Sequence, residues 1–177
     1  MDDAAQNQDT GFPYSAASDA RVLILGSMPS RKSLAEQQYY AHPRNAFWPI
    51  MGELFGFDTT LPYGRRLHCL RESGIALWDV AHQCVRPGSL DANMRNVQAN
   101  DFSKFFAAYP RIHAIFFNGR MAESLFRKLV LPQLDDPYHN LPLHCLPSTS
   151  PAHAARSFAQ KLTAWKTIKQ ALETGPV

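Results

Sequence analysis

Residues 22–48 read VLILGSMPSRKSLAEQQYYAHPRNAFW, and the break at Gly26 decides the fold. Val22-Leu23-Ile24-Leu25 is an unbroken apolar run, the pattern of a parallel strand buried on both faces. It stops at Gly26-Ser27, so the Gly/Pro/Ser loop that follows lies at the carboxyl edge of a sheet. In open α/β folds ligands bind along that edge. The loop goes on to carry Tyr39 and Tyr40, a His42-Pro43 turn, the amide of Asn45 and the pair Phe47-Trp48. Aromatic faces beside an amide can stack on a flat heterocycle and read its edge.

Outward from this segment, strands and helices alternate. Further strands are expected over 74–80 (GIALWDV), 112–118 (IHAIFFN) and 141–146. Helices are expected over 46–57, with Pro49 a point of kinking, and over 63–72, closed by Ser73-Gly74. Asn100 or Asp101 caps a helix that stops before Pro110, and another runs over 120–131. The last helix runs over 155–172, with Phe158, Leu162, Trp165, Ile168 and Leu172 as its apolar stripe and Lys161, Lys166 and Lys169 off it. Such alternation implies a three-layer α/β/α sandwich around a central four-stranded parallel sheet. Residues 20–177 read as one domain. Residues 1–19 read as a flexible acidic arm, with local docking of Phe12 or Tyr14 left open, and 81–100 as a long polar loop.

Composition sets the outer bounds. The 177 residues are 45% hydrophobic and 19% charged, ordinary for a globular domain. No apolar run approaches a membrane span, and the acidic start is unlike a signal peptide, so a cytoplasmic protein without membrane contact is expected. Cys69, Cys84 and Cys145 have no CxxC spacing and read as buried reduced thiols. The seven histidines show no HxH or HExxH spacing, so neither metal nor cofactor is expected. Asp2, Asp3, Asp9 and Asp19 all fall in the first twenty residues, which hold no Lys or Arg. The rest of the chain therefore carries 18 basic and 11 acidic groups, a body of +7 that suits a polyanion.

The order GxxP followed by YAHPxNxFW resembles the uracil-DNA glycosylase superfamily, and most of all its mismatch-specific uracil and hypoxanthine-DNA glycosylase branches. That resemblance covers nearly everything from Arg21 to the last helix. It implies a uracil-DNA glycosylase-like fold and a monomeric DNA repair enzyme. Such an enzyme acts on double-stranded DNA containing a deaminated base, hypoxanthine first and uracil second.

The resemblance also implies roles. Tyr40 would stack on the extruded base, where the residues alone allow an aromatic packed on the core. Asn118 would read the base through its paired donor and acceptor; an Asn-Gly hairpin is the other reading, but helix-like sequence follows it. Asn45 would act in catalysis by positioning water or the departing base, and Asn is also among the best helix caps. Met28 departs from the Asp or Asn of many members and cannot orient water, which favours the hypoxanthine branch; it and Ser27 would line the base pocket.

Ser148, at the head of a second motif (STSPAH), would bind DNA phosphates with Ser150, His153 and Ser30. His153 could equally be an idle residue at a helix start. Asp79, ending the second strand, would steady positive charge on the sugar or anchor a loop. The run Arg86 to Asp91 resembles an RxGSLD loop of the hypoxanthine branch without a chemical role attached. No lysine stands in the strand-end loops, so no Schiff-base lyase step is expected. A Ser-His hydrolase built on Ser27 or Ser148, His153 and Asp79 lacks a GxSxG elbow. A non-catalytic nucleobase or nucleic-acid binding module is the remaining rival.

Overall fold

Residues 8–87 and 91–176 are described by a computed structural model. In chain order it contains β1 (Gln8–Thr10), β2 (Val22–Gly26), α1 (Arg31–Glu36), α2 (Phe47–Phe55), α3 (Tyr63–Glu72), β3 (Ile75–Asp79), β4 (Ala81–Val85) and β5 (Arg95–Ala99). There follow α4 (Phe102–Ala108), β6 (Ala114–Asn118), α5 (Arg120–Leu129), β7 (Leu143–Leu146) and α6 (Phe158–Thr174).

The expected parallel sheet is present, with strand order β3-β2-β6-β7. All five residues of β2 are buried, as an apolar run between two neighbours requires. Its side chains alternate between two cores. Val22 and Ile24 join Leu77 and Phe116 beneath α2, α3 and α6, around Phe47, Ile50 and Trp165. Leu23 and Leu25 join Ile115 and Phe117 beneath α4 and α5, around Phe102, Phe106 and Phe126. These are the three layers. Each such side chain contributes about 1.5–3 kcal/mol on leaving water.

The strand order also places the site. From β2 the chain passes to β3 on one side, then returns to β6 and β7 on the other. The order thus reverses between β2 and β6, and a crevice opens beyond their carboxyl ends. Gly26 ends β2 and pairs with Asp79 of β3, while Asn118 ends β6 and pairs with Leu146 of β7.

Several expectations are corrected. Residues 81–100 are not one loop: β4 and β5 pair antiparallel, and β1 pairs with β4, making a second sheet of order β1-β4-β5. Its strands are short, polar and half exposed, and register shifts interrupt the β4–β5 ladder, so no clean alternation marks them. The arm expected over 1–19 is folded onto the body from residue 8 onward. Ser15 and Leu77 exchange backbone hydrogen bonds at 2.9 Å. The Tyr14 ring packs edge-on against Trp78, Phe105 and Tyr109. Residues 1–7 lie outside the described residues, as do 88–90 of the RxGSLD run.

Helix α6 begins at Phe158, not 155, because Ser157 and Gln160 form a reciprocal capping box there. Phe158 is 45% exposed while Lys161 is 5% exposed, so the apolar stripe was misplaced at its first turn. Asp101, not Asn100, caps α4 through Lys104 N–H. Pro49 stands in the first turn of α2, where no intrahelical donor is needed. Cys84 is buried, but Cys145 is exposed. Among the described residues no helix is long and apolar enough to cross a membrane.

Candidate active site

All ten residues singled out in the sequence line one cavity of about 500 Å³ at the β2/β6 crevice. That is within the ~300–1,000 Å³ of small-ligand sites. Three loops make its walls, and backbone bonds join them. Ala46 N–H donates to Thr149 O at 3.0 Å, tying the aromatic loop to the 148–153 loop. Gly119 N–H donates to Leu146 O at 3.0 Å, and Trp165 Nε1 to Pro147 O at 2.9 Å.

Gly26 is where the floor closes. A Cβ there would collide with Asp79 Oδ1 and come within 2.9 Å of the Tyr40 hydroxyl. Only glycine lets the buried carboxylate and the phenol converge at this point. Gly119 has φ +94° and Ser148 Cβ 3.1 Å from where its own Cβ would stand, so glycine is required there too.

Tyr40 is held in the left-handed region, at φ +56°, an uncommon conformation for an aromatic residue. One ring face lies on Phe47 at a centroid distance of 4.1 Å and 29°. Neighbouring Tyr39 is turned inward and 3% exposed. Burial first, and then the Asp79 carboxylate, push its phenol well above the usual tyrosine range. It therefore stays protonated and donates to Pro13 O.

Asn118 is half-buried, and its amide is engaged twice by Thr149: Nδ2 donates to Oγ1 and Oδ1 accepts from the backbone N–H, both at 2.9 Å. Thr149 thus occupies the edge on which the amide's donor and acceptor stand side by side, and the second Nδ2 hydrogen and second Oδ1 lone pair point to opposite flanks of the group. Asn45 Oδ1 accepts from Phe47 N–H at 2.9 Å, closing the start of α2. Since a donor fixes the oxygen, the group left to the cavity is Nδ2, a donor only. Ala46 holds the N-cap position without a side-chain cap, so the cap expected of Asn45 is instead a turn from Asn45 to Phe47 leading into α2, and the amide is divided between that turn and the cavity.

Met28 is 6% exposed and packs with Ala81 and Cys84 as well as lining the cavity, so this wall is apolar. Ser27 is buried beside it, and its carbonyl accepts from Ala81 N–H. Ser30 caps α1: its Oγ accepts from Ser33 N–H at 3.1 Å and donates to Ser33 Oγ at 3.2 Å. Ser148 Oγ accepts from Ser150 N–H, and Ser150 Oγ from Ala152 N–H, which leaves both hydroxyl protons to donate outward. His153 stands at the cavity mouth, shared with an adjoining groove of about 1240 Å³. Arg120, Arg127, Lys128 and Arg156 line that groove against a single acid, Glu123.

Sequence reasoning missed three groups. Thr149, 1% exposed, orients Asn118. His42 lines the cavity, and its Nδ1 accepts from Arg44 N–H, so the neutral ring carries its proton on Nε2. Arg86 lines the cavity while wholly buried, held by Asp9. All three stood inside quoted runs, Arg86 at the head of the RxGSLD run, but its burial had no local signal, because its partner lies 77 residues away. Among the described residues there is no group of three or more His, Cys, Asp or Glu that could hold a metal.

Comparison with known proteins gives concordant results. The model of the Uracil DNA glycosylase superfamily matches residues 12–172. A hypoxanthine DNA glycosylase of Methanosarcina acetivorans is 39% identical over 113 residues, 63% of this chain and 72% of that protein. Its counterpart from Methanosarcina barkeri is 36% identical over 111 residues, 62% and 70% of the respective chains. A solution NMR structure of a Methanosarcina acetivorans protein superposes with a TM-score of 0.76 at 32% identity, covering 94% of this chain and 99% of the other.

Proposed function

The chain belongs to the uracil DNA glycosylase superfamily, and from that premise we propose that it is a monofunctional DNA repair glycosylase. It turns a deaminated base, hypoxanthine in the first place, out of double-stranded DNA and hydrolyses its N-glycosidic bond, leaving an abasic site. The observation that carries this reading is the convergence of Tyr40, Asn45 and Asn118 on one cavity at the β2/β6 crevice. The names of the relatives point to the same base.

Extrusion costs roughly a few kcal/mol of stacking and pairing, less for a mispaired base. The exposed face of Tyr40 stacks on the base. The second Nδ2 hydrogen of Asn118, the one that Thr149 does not take, donates to the base carbonyl. Hypoxanthine and uracil both present such a carbonyl. The apolar wall at Met28 offers nothing to orient an attacking water, so the weight falls on leaving-group departure. As the glycosidic bond lengthens, the base gains negative charge and the sugar positive charge. Asn45 Nδ2–H donates to the departing base, and the buried Asp79 carboxylate steadies the sugar. Preorganised dipoles of this kind supply most of the acceleration in such sites.

The hydroxyl protons of Ser148 and Ser150, with His153, donate to phosphates flanking the extruded nucleotide. The basic groove along α5 takes the backbone beyond them. No lysine among the described residues lines the cavity, in keeping with hydrolysis without a lyase step. The enzyme works as a monomer on chromosomal DNA in the cytoplasm, without metal or cofactor.

The test is single-turnover excision from end-labelled duplexes containing deoxyinosine or deoxyuridine, developed with alkali, beside an Asn45→Ala control. Release of hypoxanthine that the control loses supports the proposal. Release of uracil alone keeps the family and overturns the substrate. Cleavage of neither moves the reading to a non-catalytic binding module.

A further inference from the structure

The short strand β1 ends the chain's approach to the site, and it brings a charge with it. Asp9 pairs with Cys84 across the β1–β4 ladder. From there its Oδ2 accepts from Arg86 Nη2 at 3.1 Å and from Arg86 Nε at 3.3 Å. The Arg86 side chain is 0% exposed and that of Asp9 12%. Arg86 Nη2 also donates to Pro29 O at 2.7 Å, and the Arg86 carbonyl accepts from Arg31 Nη2 at 2.9 Å. Arg86 lines the cavity; Asp9 does not.

A guanidinium cannot shed its proton at any ordinary pH, so burying one demands a fixed counter-charge. Asp9 supplies it from outside residues 12–172, the span that the family model matches. The pair thus has a direction. Its anionic end lies in the small antiparallel sheet and its cationic end in the cavity wall. The guanidinium fork holds the Pro29 carbonyl at the same time, one residue after Met28. This is the loop whose apolar Met28 side chain lines the cavity.

Resting on the excision reading above, we infer that Asp9 and Arg86 act as one unit of positioning residues for base excision. Asp9 fixes the guanidinium, the guanidinium fixes the Met28-Pro29 loop against the cavity, and its field favours the negative charge that develops on the departing base. β1 is therefore part of the active-site wall.

The experiment is a double-mutant cycle in the full-length protein: Asp9→Asn, Arg86→Met, both together, and Asp19→Asn, an exposed acid of the same segment, as control. Single-turnover excision at saturating enzyme is read beside the Kd for the substrate duplex. Asp9→Asn is expected to slow excision about ten- to a hundredfold, the effect of one charge-assisted hydrogen bond, with Kd within about twofold. The double variant should be no slower than Arg86→Met alone, and Asp19→Asn should match the parent protein. Unchanged excision in Asp9→Asn overturns the proposal. So do losses that multiply in the double variant, or a loss of rate matched by the same loss of affinity.

The pair is also read without turnover, from the Arg86 side-chain Nε–H in ¹⁵N-labelled protein. Protection from solvent exchange that Asp9→Asn abolishes supports it; free exchange in the parent overturns it. A parent protein that excises nothing but keeps Arg86 protected condemns the excision reading and leaves the ion pair standing.

Discussion

Asn118 and Thr149 are joined by two hydrogen bonds that run in opposite directions, each 2.9 Å long. The end of β6 and the 148–153 loop therefore move as one piece, and the amide that faces the cavity cannot rotate. Asn118→Asp tests what that amide does. A carboxylate still accepts from Thr149 N–H, and the Thr149 hydroxyl can turn to donate to it, so the loops stay joined. The donor toward the base carbonyl is lost, and a charge replaces it. Hypoxanthine excision is expected to fall about ten- to a hundredfold, with a melting temperature within a few degrees of the parent. A parent-like rate would remove Asn118 from base reading.

Asn45 divides its amide between a helix start and the cavity, and two substitutions separate the halves. Asn45→Asp keeps an acceptor for Phe47 N–H and places favourable negative charge at the start of α2. Stability should hold while excision falls at least a hundredfold, because a carboxylate repels the departing base where the amide donated to it. Asn45→Ala should lose both, with about 1 kcal/mol of stability gone with the hydrogen bond from Phe47 N–H. Urea denaturation beside the excision assay decides; equal stability losses in the two variants would contradict the divided role.

What was legible in the sequence follows from how local each cause is. The parallel strands were readable because burial on both faces makes them apolar throughout, as in Val22–Gly26. The site was readable because loops at strand ends carry residue types that an ordinary turn does not need, such as Tyr40 before Ala41-His42-Pro43. The second sheet was hidden because its stability comes from pairing across 75 residues, between Asp9 and Cys84, and not from any pattern within β1 or β4. The burial of Arg86 was hidden for the same reason, although its RxGSLD run stood out: a charged residue in a polar stretch reads as solvated until its distant partner is known. Lys161 was misread because helical periodicity shows which face a residue occupies, and the 148–153 loop covers a face that the sequence leaves looking exposed.

Gly26→Ala is the most economical probe of the cavity floor. The added methyl would strike Asp79 Oδ1 and approach the Tyr40 hydroxyl. Asp79 is 3% exposed and sits in register with Gly26, so it has little room to withdraw. The expected cost is about 1–3 kcal/mol of stability, with excision lost almost entirely as Tyr40 is displaced from Phe47. A variant that keeps parent-like excision would show that the floor yields without disturbing the stacking face.

Lys161 lies under the 148–153 loop, 5% exposed, with its Nζ 3.5 Å from Ser150 O. Burial holds its ammonium below the usual lysine range. The sign of the resulting pH dependence is fixed by linkage. A base whose folded pKa is depressed binds its proton less readily in the folded chain than in the unfolded one. Stability therefore rises as pH climbs from the folded value toward the unfolded value of 10.5, and below that window the cost of burying the charge is present in full. Lys161→Met removes that cost along with a long hydrogen bond. It should raise the melting temperature at neutral pH and flatten the gain otherwise seen on alkalinisation. The same variant takes a positive charge from beneath the loop that carries Ser148 and Ser150, so its affinity for DNA should drop several-fold, most clearly at low salt. Melting curves from pH 7 to 10, read beside duplex binding at two salt concentrations, check both halves. A variant less stable than the parent at neutral pH would show that the bond to Ser150 O outweighs the desolvation of the ammonium.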